Sequence, residues 1–266
     1  MTKSVFRLSL VQFDIAWENP PENFRRVEEL LSSTADDSQA VVLPEAFHTG
    51  FSMRAGIRSL AEKYPALPVL KKWAAASGKI IAASAFVVEE EKLYNRFFWV
   101  RPDGTFDTYD KKHLFTYGGE HRFFTPGTER KIIREEGWLF KPQICYDLRF
   151  PVWASNTFDK STGTYAYDVL VYVANWPAKR RDAYMKLLPA RAVENQAYVI
   201  WVNRTGEDGN GISYAGDTCL VSPDGDILAT AGNDEKVLEV SLDPGLLQSV
   251  RKKMPLGPDR DAFDIL

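Results

Sequence analysis

The 266-residue chain holds few residues of the kinds that staple or metallate a fold: two cysteines, Cys145 and Cys219, and three histidines, His48, His113 and His121. Two cysteines are too few for a secreted disulfide scaffold and suit a reducing cytoplasm. Neither they nor the histidines fall into a zinc-binding spacing, so no metal or cofactor is expected. No apolar run approaches the roughly 20 residues that cross a bilayer. Arg7 interrupts the mildly apolar start and no small-residue cleavage site follows, which argues against a secretory signal. Basic clusters are scarce too. No run of four or more Lys or Arg occurs, Lys179-Arg180-Arg181 being among the longest, and the net charge is −3, so no broad positive field would gather nucleic acid or anionic lipid. Linkers, short repeats and low-complexity tracts are missing, so residues 1–266 read as a single domain.

What is present is ordinary globular material, 45% hydrophobic and 26% charged, in a chain long enough to bury a large core without staples. Apolar and polar residues alternate over 6–13, predicting a strand. Pro20-Pro21 opens a helix in which Phe24, Val27, Leu30 and Leu31 recur at helical spacing. Residues 40–43 are predicted as a short buried strand, and a helix over 69–76 is stopped by Gly78. Strands at 79–88, 93–101 and 105–109 follow, the last two joined by Pro102-Asp103-Gly104. Beyond them, 131–134 and 138–145 read as strands, 168–174 as a strand buried on both faces, and 182–197 as a helix. Residues 198–203 form a further strand and 206–216 a glycine-rich loop. Strands at 218–221 and 227–231 flank Pro223-Asp224-Gly225, and a strand (236–241) and helix (244–250) complete the pattern. This alternation predicts an α/β layered fold with a mixed sheet or sheets.

Three residues at the ends of predicted strands carry possible chemistry. Cys145 ends an apolar strand and precedes a turn, with Pro151 suited to start a helix. A thiol there is exposed at the sheet edge, where turn N–H groups stabilise a thiolate or an oxyanion, although free cysteines are more often inert core filler. Cys219 sits mid-strand and reads as structural. Glu45 follows Leu43-Pro44 and precedes Ala46-Phe47, an apolar setting that favours a desolvated carboxylate able to take and return a proton. Lys111 ends Tyr109-Asp110-Lys111, and a lysine held near a thiol favours the thiolate and donates to an oxyanion. The histidines read as surface or hydrogen-bonding residues rather than bases. Sites in open α/β sheets assemble at strand carboxyl ends, so the three signals gain weight together.

The segments Leu43-Pro44-Glu45, Tyr109-Asp110-Lys111-Lys112-His113-Leu114-Phe115 and Cys145-Tyr146-Asp147-Leu148-Arg149-Phe150-Pro151 resemble, in order, the three signatures of the nitrilase superfamily of carbon–nitrogen hydrolases. The resemblance extends through Asn175-Trp176-Pro177, Arg191-Ala192-Val193-Glu194-Asn195 and Gly216-Asp217-Thr218, nearly the whole chain. Thr49-Gly50-Phe51-Ser52-Met53 and Asn175-Trp176-Pro177 look most like its bacterial omega-amidase branch. Those enzymes hydrolyse the amide of 2-oxoglutaramate or 2-oxosuccinamate. The resemblance implies a four-layer αββα sandwich that pairs into homodimers or larger homo-oligomers. It also implies Cys145 as nucleophile, Glu45 as general base and acid, and an oxyanion held by Lys111 and the Tyr146 N–H. The family pattern Lys-x-His-Leu selects Lys111 over Lys112. Glu120 falls where many members carry a second glutamate that positions the lysine. The stretch 158–167 is longer than the family leads one to expect, suggesting an insertion near the dimer face or the pocket.

A 2-oxo acid amide carries a carboxylate, so its pocket needs a cation or a cluster of N–H donors. Arg149 and Arg180 are the candidates, with Tyr146 and Trp176 as walls. For Arg149 a structural ion pair with Asp147 or Glu194 is the preferred reading over substrate contact. The rivals are another amidase, a carbamoylase or a nitrilase of the same superfamily, and a silent binding subunit. The presence of Glu45, Lys111 and Cys145 together weighs against the last. A thiol-redox role is weak without a second cysteine nearby in sequence.

Overall fold

The computed structural model describes residues 3–263. In chain order its strands are β1 (Phe6–Gln12), β2 (Ala40–Val42), β3 (Ile80–Glu89), β4 (Lys92–Val100), β5 (Phe106–Asp110), β6 (Ile133–Glu135), β7 (Trp138–Ile144), β8 (Phe158–Asp159), β9 (Thr164–Tyr165), β10 (Val169–Ala174), β11 (Tyr198–Asn203), β12 (Thr205–Glu207), β13 (Ser213–Ala215), β14 (Cys219–Val221), β15 (Ile227–Thr230) and β16 (Lys236–Leu242). The α-helices are α1 (Pro20–Leu31), α2 (Ile57–Lys63), α3 (Ala66–Ser77), α4 (Pro151–Ala154), α5 (Arg181–Asn195) and α6 (Pro244–Lys253).

Two six-stranded sheets dominate, ordered β16-β1-β2-β3-β4-β5 and β15-β14-β11-β10-β7-β6. Each has a parallel centre, β1-β2-β3 in one and β7-β10-β11 in the other, flanked by antiparallel strands. Side chains alternate between the two faces of a strand. In the first sheet Ala40, Val42, Ile80, Ala82, Phe97 and Trp99 point toward the second sheet and join Phe140, Val171 and Val173 in one core. The intervening Val41, Ile81, Ala83, Phe98 and Val100 pack instead on Val27 of α1 and Leu70, Trp73 and Ala74 of α3. On the far side, Tyr184, Leu188 and Ala192 of α5 cover the second sheet. The result is the expected four-layer αββα sandwich. Both faces of the central strands are buried, which is why these strands read as continuous apolar runs. Truncating a fully buried residue such as Leu70 to Ala costs about 2–5 kcal/mol.

Most element ends follow their sequence signals. Asn19 caps α1 before its two prolines, and Gly78 ends α3 at φ 69°, left-handed as its position requires. Three expectations change. Helix α2 lies where none was predicted, because seven residues carry too few turns to show a period. Residues 206–216 are not a plain loop but the hairpin β12–β13, paired from Thr205↔Ala215 to Glu207↔Ser213. Glycines here serve close approach as well as bending: a Cβ on Gly209 would sit 2.2 Å from the Trp17 indole. The stretch around 158–167 forms the small hairpin β8–β9. It packs on the C-terminal region, with Arg251 4.2 Å above the Tyr165 ring, and none of its residues lines the cavity that holds Cys145.

Candidate active site

The chain crosses from sheet to turn at the carboxyl ends of β2, β5 and β7, and there Glu45, Lys111 and Cys145 converge. Cys145 begins a 3-10 turn (Cys145–Arg149) that leads into α4, with Pro151 at its first turn. The cysteine has φ 46°, a left-handed conformation that costs a non-glycine residue roughly 1–2 kcal/mol. Ala46, next to Glu45, shares it at φ 47°. Both strained residues are held by the burial of the strand ends that feed them.

Glu45 and Glu120 are fully buried, and Lys111 is 1% exposed. The lysine Nζ donates to Glu45 at 2.8 Å and to Glu120 at 3.0 Å. Burial alone would strip its proton, but Glu120 and Glu45 outweigh burial and hold the ammonium charged well above its ordinary range. Burial raises the Glu120 carboxyl, Lys111 opposes that rise and Glu45 adds to it. Lys112 lies apart, its ammonium 5.2 Å over the Trp153 ring. Cys145 is 8% exposed. Burial and then the Glu45 charge push its thiol well above its usual range, only partly opposed by Lys111. The resting sulfur is therefore a neutral thiol facing Glu45.

Two asparagines complete the cluster, and neither was assigned a role from sequence. Asn95 of β4 donates to Glu45 at 2.8 Å and to Glu120 at 3.2 Å, bridging the two carboxylates. The Asn175 N–H donates to the second Glu45 oxygen at 2.8 Å, and its side chain to the Glu45 carbonyl. A signal for Asn95 existed: it shares the inward face of β4 with Leu93 and Phe97, where a polar residue needs a partner.

The cavity over this cluster is about 180 Å³ in volume. Lys111, Cys145 and Asn175 form its floor, and Tyr146, Trp176, Phe51 and Phe115 line its sides. Arg149 and Arg180 also reach it. Arg149 makes no ion pair with Asp147 or Glu194. Asp147 is saturated by Tyr109, Ile144 and His113, and Glu194 pairs with Arg191. Its guanidinium instead lies 4.9 Å over Trp176, while that of Arg180 lies 5.0 Å over Phe115. Neither has a carboxylate partner among the described residues.

The remaining sulfur and imidazoles stand outside this chemistry. Cys219 is a buried residue of β14, and His113 bonds Asp147 at 2.7 Å. His121 is exposed. His48 differs from expectation: it is fully buried, stacked on Phe24 at 6.3 Å, and neither ring nitrogen has a hydrogen-bond partner among the described residues. Burial lowers its pKa from 6.5 to about 3. The unfolded chain therefore binds a proton below pH 6.5 that the fold refuses, and stability is lost as pH falls from 6.5 toward 3. The loss approaches about 1.4 kcal/mol per pH unit. Urea unfolding of His48→Leu at pH 7 and pH 5 should show a weaker acid loss than the wild type; equal losses would contradict this account.

A family model described as carbon–nitrogen hydrolase matches residues 7–252. The omega-amidase YafV of Yersinia enterocolitica is 40% identical over 264 residues, 99% of this chain and 100% of its own. The 2-oxoglutaramate amidase of Bacillus subtilis is 32% identical, covering 95% of this chain and 96% of its own. Among solved structures, XC1258 of Xanthomonas campestris is a CN-hydrolase superfamily protein with an arsenic adduct in its active site. It is similar at TM-score 0.94 and 37% identity, over 98% of this chain and 99% of that one. With the family model spanning most of the chain and relatives matched end to end, this chain belongs to the carbon–nitrogen hydrolase family, the nitrilase superfamily.

Proposed function

We propose that the protein is an omega-amidase that hydrolyses the side amide of a small 2-oxo dicarboxylic acid monoamide, 2-oxoglutaramate or 2-oxosuccinamate. One observation carries the reading: a buried Cys–Glu–Lys cluster opens into a cavity with two guanidiniums lacking carboxylate partners among the described residues. The cluster breaks the amide, and the guanidiniums take the substrate's carboxylate and adjacent 2-oxo oxygen.

The steps follow from the protonation states. Glu45 accepts the thiol proton as the sulfur attacks the amide carbon. The oxyanion forms against the Lys111 ammonium and the backbone N–H of Tyr146, which follows Cys145 in the 3-10 turn. The C–N bond breaks as Glu45 gives the proton to departing ammonia, leaving a thioester on Cys145. Glu45 then takes a proton from water, which attacks the thioester. Collapse releases the acid, and the proton returns to sulfur. Glu120 holds Lys111 in place, and Tyr146 and Trp176 wall the acyl chain.

Ammonia release from 2-oxoglutaramate, 2-oxosuccinamate, glutamine and a neutral amide such as butyramide tests the reading. The two oxo acids should be turned over far better than the others. Arg149→Met should lower kcat/KM for them about 10–100-fold, the loss of a charge-assisted contact, and leave butyramide unchanged. Preference for the neutral amide would redirect the assignment to another amidase of the superfamily.

The homo-oligomer expected from the family fits the α4–α5 face. There Val152 is 56% and Val193 48% exposed, and Val152, Glu194 and Phe263 line a shallow groove. A cytoplasmic location fits the two free thiols, one of which has to stay reduced to react. No helix of the described residues is long and apolar enough to cross a membrane.

A further inference from the structure

Lys111 and Cys145 reach the cavity from different sheets: the lysine directly follows β5 of one, the cysteine directly follows β7 of the other. Any sliding of sheet on sheet alters their separation. Asp147, fully buried, lies between the two strand ends. Its Oδ2 accepts from the Tyr109 hydroxyl at 2.7 Å and from the Ile144 N–H at 3.0 Å. Its Oδ1 meets the His113 N–H at 3.0 Å and the His113 Nδ1 at 2.7 Å. Tyr109 stands two residues before Lys111, His113 two after it, and Ile144 immediately before Cys145. The Tyr109 oxygen also accepts from the Trp153 indole at 2.9 Å and the Lys112 N–H at 3.3 Å, so its one proton is directed at Asp147. His113 is stacked on Phe150 at 3.7 Å, within the turn that carries the cysteine.

We propose that Asp147 is a positioning residue: through Tyr109 and His113 on one side and Ile144 on the other, it locks the two sheets beside the cavity and sets the distance from the Lys111 ammonium to the Cys145 thiol. The inference rests on the roles given above to Lys111 and Cys145. The Asn175–Glu45 contact ties the sheets on the base side of the sulfur, and Asp147 ties them on the lysine side. A carboxylate suits the task because four donors converge on it. An amide would turn its own N–H groups against at least one of them. Burial raises the Tyr109 hydroxyl well above its ordinary range, which keeps it a neutral donor.

Tyr109→Phe removes the bond to Asp147, together with those from Trp153 and Lys112, and keeps the ring, and Asp147→Asn is the stronger variant. In both, kcat per folded molecule should fall about 10²-fold, the scale of a 1 Å misplacement, while KM changes little. A second readout separates positioning from mere stability. The charges facing Cys145 are Glu45 and Lys111, and Lys111 lowers the thiol's pKa. Moving the lysine away should shift the pH midpoint of iodoacetamide modification upward, followed on Cys145 by peptide mass in a Cys219→Ala background. In Lys111→Met the midpoint is already shifted, and Tyr109→Phe should add nothing. A lower melting temperature with unchanged kcat and midpoint would overturn the proposal, as would an equal further shift in the Lys111→Met background. If Lys111→Met itself alters neither kcat nor midpoint, the mechanism fails rather than this inference alone.

Discussion

Glu45→Gln is expected to lower kcat for amide hydrolysis by about 10²–10⁴-fold, because in the proposed mechanism one carboxylate moves a proton in every step from thiol to ammonia to water. The neutral resting thiol makes that dependence strict: with burial and Glu45 holding its proton on, no preformed thiolate is available to attack unaided. The amide is also a poor fit. Glu45 presents one oxygen to Lys111 and Asn95 and the other to the Asn175 N–H. A glutamine turns its NH₂ toward donors in either orientation, at a cost of about 1–3 kcal/mol in stability. Cys145→Ala removes the proposed nucleophile and should reduce turnover to the assay background, whereas Cys219→Ala should leave it nearly intact. Ammonia release under saturating substrate, with circular dichroism to confirm folding, measures all three. Retained activity in Glu45→Gln would show that another group takes the proton.

Lys141→Met raises stability at pH 7 by about 2–3 kcal/mol, the largest gain expected from a single replacement away from the cavity. Lys141 lies in β7, 1% exposed, and its Nζ donates to the Trp153 carbonyl at 2.6 Å above the Tyr167 ring, with no carboxylate partner among the described residues. Burial, aided by Arg130, lowers its pKa from 10.5 to about 6. The folded lysine is thus largely neutral at pH 7 while the unfolded chain is protonated, and folding has to release that proton. Stability from this group rises with pH between about 6 and 10.5, at up to about 1.4 kcal/mol per unit. Methionine fills the same volume without that cost but leaves the Trp153 carbonyl unpartnered, which offsets part of the gain. Urea unfolding at pH 6.5 and 8.5 should show wild-type stability climbing relative to a flatter variant. Parallel behaviour of the two would mean that Lys141 keeps its charge in the fold.

Much of the candidate site was legible because a strand that ends in a carboxyl, amine or thiol side chain leaves a local signature. Glu45 after Leu43-Pro44, Lys111 after Tyr109-Asp110 and Cys145 before a turn with Pro151 are each visible within a few residues. Asn95 and Asp147 were harder. Their partners lie 50, 25 and 38 residues away, so the alternation of β4 marks Asn95 as inward-facing but nothing nearby tells which groups either side chain bridges. His48 misled for the opposite reason, since an imidazole in sequence suggests a hydrogen bond and here it serves as an aromatic filler.

The sequence by itself determined the layered α/β class, the short buried strands and the identity of the three residues at their ends, because periodicity and turn chemistry are local. Tertiary structure decided what those residues face. It placed lysine and cysteine on opposite sheets, gave the second oxygen of Glu45 to Asn175, and left Arg149 over Trp176 instead of paired with a carboxylate. It also folded a glycine-rich stretch into a hairpin over Trp17. These outcomes depend on which charges lose water together and which donors remain unmatched, and only the packed sandwich specifies that.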